Sequence, residues 1–318
     1  MKVTEHIQKA NGKSLFSLEI LPPLKGKDMK DIINNLDPLM EFNPAFVDVT
    51  YHREEVVYDE LPNGLLQKRT IRKRPSTVAI SAAIQHRYNV DAVPHLLAGG
   101  FTKEETENAL VEMDFLGIQN VLALRGDAAP GETYFKALAE GHSYANEVVE
   151  QINNLNNGKY LDPKMEHAHH TDFCIGVAGY PEKHFESPNI ETDLEYLKAK
   201  VDAGADYIVT QMFFDNKKYF DFVEDCKRHG INVPIIPGLK PLSTKNQLRL
   251  LPHRFSLDLP CDLVREVDKC KDNKEVRQLG VEWAIEQSKE LKAAGVPTLH
   301  YYTMGKSDNI QKIVKAVF

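Results

Sequence analysis

The chain has 318 residues, of which 42% are hydrophobic and 27% are charged, and its formal net charge is −7. This composition is typical of a globular enzyme with a large core, and the negative charge disfavours nucleic acid as a main partner. No run of 18 apolar residues predicts a membrane span, and the first 14 residues contain no apolar segment of the kind found in secretory leaders. We therefore expect a cytoplasmic protein with no membrane partner.

Eight short apolar segments predict β-strands, at residues 16–21, 46–51, 77–82, 120–124, 173–178, 207–211, 233–237 and 298–303. Strands buried on both faces of a parallel sheet read as continuous apolar runs, and a crossover must separate each strand from the next. Helical patterns alternate with these segments, at residues 28–41, 103–116, 144–155, 191–203, 216–229 and 275–294. Gly117, Gly204, Gly230 and Gly295 each follow one of these helices, where a left-handed C-cap favours glycine.

Eight such units predict an α/β fold, a (β/α)8 TIM barrel that forms a single domain over residues 1–318. Two stretches do not fit the repeat, a charged insertion at residues 53–74, after the second strand, and the segment 159–171. The insertion could cover the site, offer cations to an anionic ligand, or form a solvated surface excursion. Its cations near the end are Arg69, Arg72, Lys73 and Arg74.

Polar residues close several of the predicted strands, and in such barrels the residues at the carboxyl ends of the strands form one active site. Glu19 has apolar neighbours in the first strand, so burial is expected to raise its pKa and make it a general acid near neutral pH. The alternative is an ion pair with Lys or Arg. Asp127 follows Gly126 after the fourth strand, and it could stabilise a cation, accept N–H groups of a heterocycle, or cap the next turn.

Several common motifs are missing from the sequence. A dinucleotide-binding G-x-G-x-x-G after a strand, a P-loop and a G-x-S-x-G elbow are all absent, which disfavours those three classes of protein. The four cysteines show no Cys-x-x-Cys spacing, so we expect free thiols. Glu166 and the nearby His167, His169 and His170 could chelate a cation, but their spacing matches no standard site, and we expect no metal.

Motifs in order along nearly the whole chain resemble the methylenetetrahydrofolate reductase family. They are Glu19 with Pro22 and Pro23, DVTY at 48–51, PH at 94–95, LALRGD at 122–127, AGYPEKH at 178–184, VDAGA at 201–205, TQMFFD at 210–215 and IPG at 236–238. The resemblance is to the short bacterial form, a catalytic barrel with no regulatory extension. It implies reduction of 5,10-methylenetetrahydrofolate to 5-methyltetrahydrofolate by NADH or NADPH through flavin adenine dinucleotide (FAD), and a homo-oligomer.

The resemblance also implies roles for particular residues. Glu19 matches the family's general acid and Asp127 matches the carboxylate that contacts the pterin and stabilises its cationic iminium. The implied substrate contacts are Thr50, Asp127, Gln211, Gln247 and Lys306. The implied flavin contacts are Thr50, Tyr51, His95, Arg125, Gly126, Asp127, Tyr144, Ala145, Tyr180, His184, Asp193 and Lys200. Considered without the family, His95 would be a satisfied loop histidine.

The sequence departs from the family pattern at some of these places. Tyr196 stands where Asn is usual and Ala199 where Arg is usual, so the adenosine and phosphate end of the flavin site is expected to be rebuilt. Two other functions stay open: a different flavin barrel that oxidises or reduces an imine or amino acid, and a folate-binding subunit without turnover. The first would not need a pterin-directed Asp and Gln, and the second would purify without colour.

Overall fold

The computed structural model describes residues 1–128, 132–165, 167–303 and 307–318. In these ranges nine parallel strands form one sheet in the order β10-β11-β1-β2-β5-β6-β7-β8-β9. The strands are β1 (Leu15–Ile20), β2 (Phe46–Val49), β5 (Asp91–Leu97), β6 (Asn120–Leu124), β7 (Cys174–Gly179), β8 (Tyr207–Thr210), β9 (Ile235–Ile236), β10 (Gly238–Leu239) and β11 (Thr298–Tyr302). The remaining strands, β3 (Glu55–Glu60) and β4 (Leu66–Ile71), pair with each other in an antiparallel hairpin.

The sheet closes into a barrel at a break in its seventh strand position. Pro237 separates β9, which pairs with β8, from β10, which pairs with β11. Because Pro237 has no N–H, it cannot continue the ladder as a donor, although its carbonyl oxygen accepts from the amide of His300. Side chains bridge the break: Gly238 N donates to Thr210 Oγ1, and the hydroxyl of Tyr302 donates to the Thr210 carbonyl. The (β/α)8 barrel predicted from the sequence is therefore confirmed.

Helices cover the outside of the barrel and one of its ends. They are α1 (Val3–Lys9), α2 (Met29–Met40), α3 (Thr77–Tyr88), α4 (Lys103–Phe115), α5 (Ala145–Asn156), α6 (Ile190–Asp202), α7 (Asn216–Arg228), α8 (Gln247–Phe255), α9 (Cys261–Lys269), α10 (Asn273–Ala293) and α11 (Asp308–Val317). Gly117, Gly204, Gly230 and Gly295 follow helices with positive φ, as expected. In the part of the chain described, no helix is both long and apolar enough to span a membrane.

One predicted strand is wrong. Residues 77–82 begin helix α3, which ends at Asn89 in the left-handed conformation (φ 50°), and the third barrel strand is β5. The apolar run TVAISAAI forms the first part of a helix of 12 residues, and a short apolar window cannot distinguish a buried helix from a strand. Pro94 interrupts the true strand, and proline within an apolar run argues against a central strand.

The interior of the barrel changes character along its axis. Apolar side chains fill the amino-terminal half, and helix α1 closes that end, where Val3 N donates to Asn120 Oδ1 at 2.8 Å. The apolar cluster comprises Val3, Phe46, Val93, Leu122, Cys174, Tyr207, Val209 and Ile236. Further along the same inward faces, Ser17, Asp48, His95 and His300 are buried polar residues. The carboxyl end of the barrel is thus the polar end.

Gly176 gives a test of the interior packing. A Cβ added there would lie 2.4 Å from Cζ of the fully buried Tyr207 ring, which occupies the space that Gly176 leaves. We expect Gly176→Ala to lower the free energy of unfolding by about 1 to 3 kcal/mol, because overpacking in a dense core strains both side chain and backbone. Urea unfolding measures this loss. In a Tyr207→Leu background the same substitution should cost clearly less, and an equal cost in both backgrounds would contradict the steric explanation.

Candidate active site

Two carboxylates and two imidazoles meet inside the polar end of the barrel. Glu19 Oε2 lies 3.7 Å from His95 Nε2 and 3.9 Å from His300 Nε2. His95 Nε2 also lies 3.4 Å from Asp48 Oδ2. These side chains come from β1, β5, β11 and β2, whose parallel register sets Glu19 beside Asp48 and Ser17 beside His300. Strands distant in the sequence thus converge on the carboxyl group of Glu19.

Glu19 is held from two sides. Thr50 Oγ1 lies 3.1 Å from Glu19 Oε1 and 2.9 Å from the carbonyl oxygen of Ile20, and its hydroxyl can donate to either. On the other side, Ser17 Oγ and His300 Nδ1 are 2.8 Å apart, which fixes the ring of His300. The Glu19 side chain remains 16% exposed, so it can be reached from the barrel mouth.

The sequence-based expectation for the pKa of Glu19 is wrong for this structure. Burial does raise the pKa of Glu19, but His300, His95 and Thr50 together outweigh it, and the net direction is downward. The reason is that Leu18 and Ile20 point into the outer apolar core, whereas the carboxyl group faces two imidazoles. Glu19 is therefore paired, although with histidines rather than with the Lys or Arg considered from the sequence.

His95 is a strand residue of β5, not the loop histidine that its isolated sequence context suggests. Burial on its own lowers the pKa of His95, but the carboxylates of Asp48 and Glu19 outweigh burial and raise the pKa above its usual value. Asp48 has no exposed surface. The two carboxylates therefore favour the protonated form of His95.

A second group, of cations and aromatic rings, lies at the carboxyl ends of β6 and β7. Lys200 Nζ donates to the carbonyl oxygen of Ala178 at 2.6 Å and lies 5.9 Å from the centre of the Tyr180 ring. The Tyr180 and His184 rings meet edge to face, with centroids 4.7 Å apart. Arg125 pairs with Glu186 and stacks on Phe135. Burial lowers the pKa of Lys200 to about 8, with Asp193 acting in the opposite direction.

Asp193 holds the loop that carries His184. Its Oδ2 accepts the backbone N–H of His184 at 3.1 Å, and its Oδ1 accepts the hydroxyl of Ser187 at 2.7 Å. Asp193 itself lies in the first turn of α6, whose N-cap is Asn189. Both carboxylate oxygens are thus used in positioning the loop.

Asp127 lies at the mouth of the barrel. Its side chain is 82% exposed and its Oδ2 is 3.9 Å from Nη2 of Arg254, a residue of α8. Gly126 precedes it with φ 89°, and a Cβ there would approach Leu97 Cδ2 to 2.8 Å. The glycine is needed both for its backbone conformation and for its small size, and it turns Asp127 outward.

The two glutamines predicted to bind substrate follow barrel strands in the sequence. Gln211 directly follows β8, and its side-chain oxygen accepts the backbone N–H of Met212 at 3.0 Å. Gln247 begins α8, and its side-chain oxygen accepts the N–H groups of Ser243 and Thr244. In both cases the NH₂ group of the amide can donate to a ligand. Lys306 lies outside the described residues.

The remaining predicted flavin residues have different environments. Tyr51 is buried, and its ring packs on Phe101 with centroids 5.0 Å apart. Tyr144 is the N-cap of α5 and is largely exposed, and Ala145 is the first residue of that helix.

Three polar residues of the interior were missed as site residues, namely Ser17, Asp48 and His300. The signal was present, because β1 and β11 carry polar residues at every second position and β2 carries Asp48 within an otherwise apolar strand. Lys240 was also missed. It follows β10, burial lowers its pKa, and Glu19 acts on it in the opposite direction.

The four cations near the end of the hairpin insertion all have partners. Arg69 contacts Asp59, Arg72 contacts Glu54, Lys73 contacts Glu55 and Arg74 donates to the carbonyl oxygen of Pro22. These contacts favour a structural role for the cations over capture of an anionic ligand. As for metals, the described residues contain no group of three or more His, Cys, Asp or Glu side chains that could hold an ion.

The fold and these residues define a (β/α)8 barrel with a candidate active site at its carboxyl end. Residues 2–317 match the family model for methylenetetrahydrofolate reductase, so the chain belongs to the methylenetetrahydrofolate reductase family. It is 33% identical over 316 residues to methylenetetrahydrofolate reductase (NADH) 1 of Zea mays, covering 96% of this chain and 48% of that protein. It is 29% identical over 307 residues to the 5,10-methylenetetrahydrofolate reductase of Escherichia coli, covering 96% and 91%.

The chain spans about half the length of the plant relatives it matches. Among solved structures, a protein from Clostridium thermocellum described as binding two copies of 5-methyl-5,6,7,8-tetrahydrofolic acid superposes with a TM-score of 0.55. That alignment covers 99% of this chain and 97% of the other at 15% identity, and it supports the fold.

The role of Asp193 can be tested through stability. We expect Asp193→Ala to lower the free energy of unfolding by about 1 to 3 kcal/mol, because the N–H of His184 and the hydroxyl of Ser187 lose their acceptor. Glu195→Ala, an exposed position on the same helix, is the control and should change stability by less than about 0.5 kcal/mol. Chemical denaturation measures both, and equal effects would show that Asp193 does not hold the loop.

Proposed function

We propose that this protein reduces 5,10-methylenetetrahydrofolate to 5-methyltetrahydrofolate with electrons from NADH or NADPH, and that FAD is its cofactor. The observation that carries the proposal is the arrangement at the carboxyl end of the barrel in a chain of this family. A carboxyl group with proton-holding neighbours lies on one side, at β1, β2, β5 and β11. A group of cations and rings lies on the other side, at β6 and β7.

The residues present fit the diphosphate of FAD. Arg125, His184 and Lys200 can supply charge-assisted hydrogen bonds in a protein that is acidic as a whole. Tyr180 offers a flat surface beside them, and the absent side chain of Gly126 allows close approach of the backbone. When bound, the flavin supplies the hydride chemistry. Tyr196 and Ala199 are exposed on α6 and give no charge, so Arg125, His184 and Lys200 would provide most of the anion binding.

Glu19 is the residue best placed to deliver a proton to the folate. Opening the five-membered ring requires a proton on N10 as its bond to the methylene carbon breaks, which leaves a cationic iminium at N5. A buried carboxyl group that is still reachable from the mouth suits this role, and Thr50 would orient its Oε1. Burial by a bound substrate would remove the remaining water and raise the pKa of Glu19 from its lowered value.

Asp127 and the two glutamines would bind and orient the pterin. The carboxylate of Asp127 can accept N–H groups of the ring and stabilise the positive charge that develops at N5. Its exposure means that a bound substrate must exclude water before this stabilisation becomes large. Gln211 and Gln247 would donate through their NH₂ groups. Self-association remains a prediction that sedimentation can measure.

Spectroscopy with the two substrates tests the function. The purified protein should be yellow, NADH or NADPH should bleach it anaerobically, and 5,10-methylenetetrahydrofolate should restore the colour. Restoration by an imine or an imino acid instead would identify a different flavin barrel. A colourless protein that binds folate without oxidoreductase activity, even with added FAD, would identify the subunit without turnover.

Replacing the general acid should separate the two half-reactions. We expect Glu19→Gln to slow folate reduction by about 10² to 10⁴-fold, because only that half-reaction needs a proton on N10. Reduction of the flavin by NADH or NADPH should stay within a few-fold of wild type. Stopped-flow absorbance measures each half separately, and an equal loss in both would contradict a general-acid role.

Lys200 should make flavin binding depend on pH. Its pKa, lowered to about 8, means that it is charged below pH 8 and loses its proton as the pH rises through 8. Affinity for an anionic diphosphate should therefore be greatest below pH 8 and fall above it. In Lys200→Met we expect weaker binding at pH 7 and no such fall between pH 7 and 9. Fluorescence titration of apoprotein with FAD measures both, and Lys198→Met, a half-buried position on the same helix whose ammonium pairs with Asp202, is the control.

A further inference from the structure

Asp48 presents a problem that the proposed reaction does not explain. It has no exposed surface, and neither of its carboxylate oxygens makes a hydrogen bond in the described residues. The nearest group that can carry positive charge is His95, whose Nε2 lies 3.4 Å from Oδ2. A buried carboxylate without a partner is strongly disfavoured, so it either takes up a proton or holds a cation beside it.

His95 is placed between two carboxylates. Its Nε2 lies 3.4 Å from Asp48 and 3.7 Å from Glu19 Oε2, and it also lacks a hydrogen bond of good geometry to either. Asp48 cannot reach solvent, whereas Glu19 can. In this row of three side chains, Asp48 is buried, His95 lies in the middle, and Glu19 opens to the mouth of the barrel.

We propose that His95 stores the proton that Glu19 delivers to the substrate, and that Asp48 is a positioning residue that keeps the proton on His95 in the free protein. This proposal rests on the proposed function. The raised pKa of His95 and the lowered pKa of Glu19 agree with it, since both describe a proton that sits on the imidazole before substrate binds.

The proton balance is simple. Before substrate binds, His95 is an imidazolium and Glu19 is anionic. As substrate covers Glu19, the N–H bond at His95 Nε2 breaks and an O–H bond forms at Glu19 Oε2, which leaves a neutral imidazole and a neutral acid. Glu19 then gives this proton to N10, which keeps the electron pair of its broken bond to carbon. Solvent restores the proton after product leaves.

Other titratable groups face His95 and Glu19. Among them, Asp48 is the residue whose replacement tests the proposal. On β11, His300 lies near Glu19, and Tyr302 senses the charges of both carboxylates. On β8, the charge of Asp48 contributes to the raised pKa of Tyr207. At the mouth, His95 contributes to the lowered pKa of His52, and Glu19 opposes the lowering of the pKa of Lys240. The inward residues of β6 and β7 nearby are Leu122 and Gly176, which carry no charge.

The test is the pH dependence of the folate half-reaction in Asp48→Asn. The folate step needs one proton on the His95 and Glu19 pair, and removal of the Asp48 charge makes that proton easier to lose. The alkaline limb of the rate profile should therefore move to lower pH by about 1 to 3 pH units, with about a tenfold loss of rate at high pH for each unit. Flavin reduction by NADH should keep its wild-type rate and profile.

A readout without cofactor or substrate accompanies the kinetics. Histidine ring signals of the ligand-free protein, assigned by their loss in His95→Asn, should show His95 titrating above the usual histidine range in wild type and at lower pH in Asp48→Asn. Thr298→Val is the matched control, because it also removes a buried, unpaired oxygen from the barrel interior. It should leave both the rate profile and the His95 signal unchanged.

The outcomes separate this proposal from the function on which it rests. A wild-type protein that does not reduce the folate would overturn both. A wild type that does, with an unchanged alkaline limb and an unchanged His95 signal in Asp48→Asn, would overturn the proton store alone. If Asp48→Asn does not fold, Asp48→Ser removes the same charge with a smaller side chain, and the same shift is required of it.

Discussion

The polar end of the barrel depends on the pairing of buried acidic side chains with histidines. Two carboxylates and two imidazoles occupy an interior from which water is largely excluded, and they are tolerated only because they lie within about 4 Å of one another. Strand register sets those distances, since Glu19 is the direct partner of Asp48 and Ser17 is the direct partner of His300. A slip of one residue would turn every one of these groups into the apolar layer beneath the helices.

The same end of the barrel separates two tasks in space. The proton-holding groups belong to β1, β2, β5 and β11, whereas the cations and rings belong to β6, β7 and α6. Asp193 serves the second task without facing a ligand, because its oxygens hold the loop of His184. Under the proposed function, changes in anion binding would therefore leave the acid undisturbed.

The sequence predicted the barrel, and the family resemblance implied Thr50 and His95 as site residues in addition to Glu19. The strand pattern alone did not place His95, because β5 was not among the predicted strands. The sequence did not predict the surroundings of Glu19, which come from distant strands, and it did not predict strand β5, which contains a proline. Leu18 and Ile20 suggested an apolar pocket for Glu19, but neighbours in a strand face opposite sides, and the true surroundings come from His95 and His300. Pro94 hid β5 in the same way, because the rule against proline in central strands is a tendency.

The seventh strand of the barrel is interrupted at Pro237, so the two halves of this strand pair with different neighbours. At Pro237 the backbone ladder gives way to a clasp made by the Thr210 hydroxyl and the phenol of Tyr302, and Gly238 fits only because any Cβ would meet the Thr210 carbonyl at 2.2 Å. Tyr302 is also the ladder partner of Glu19, so this clasp lies directly beside the candidate acid. Strand β11 therefore both closes the barrel and holds the strand that carries Glu19.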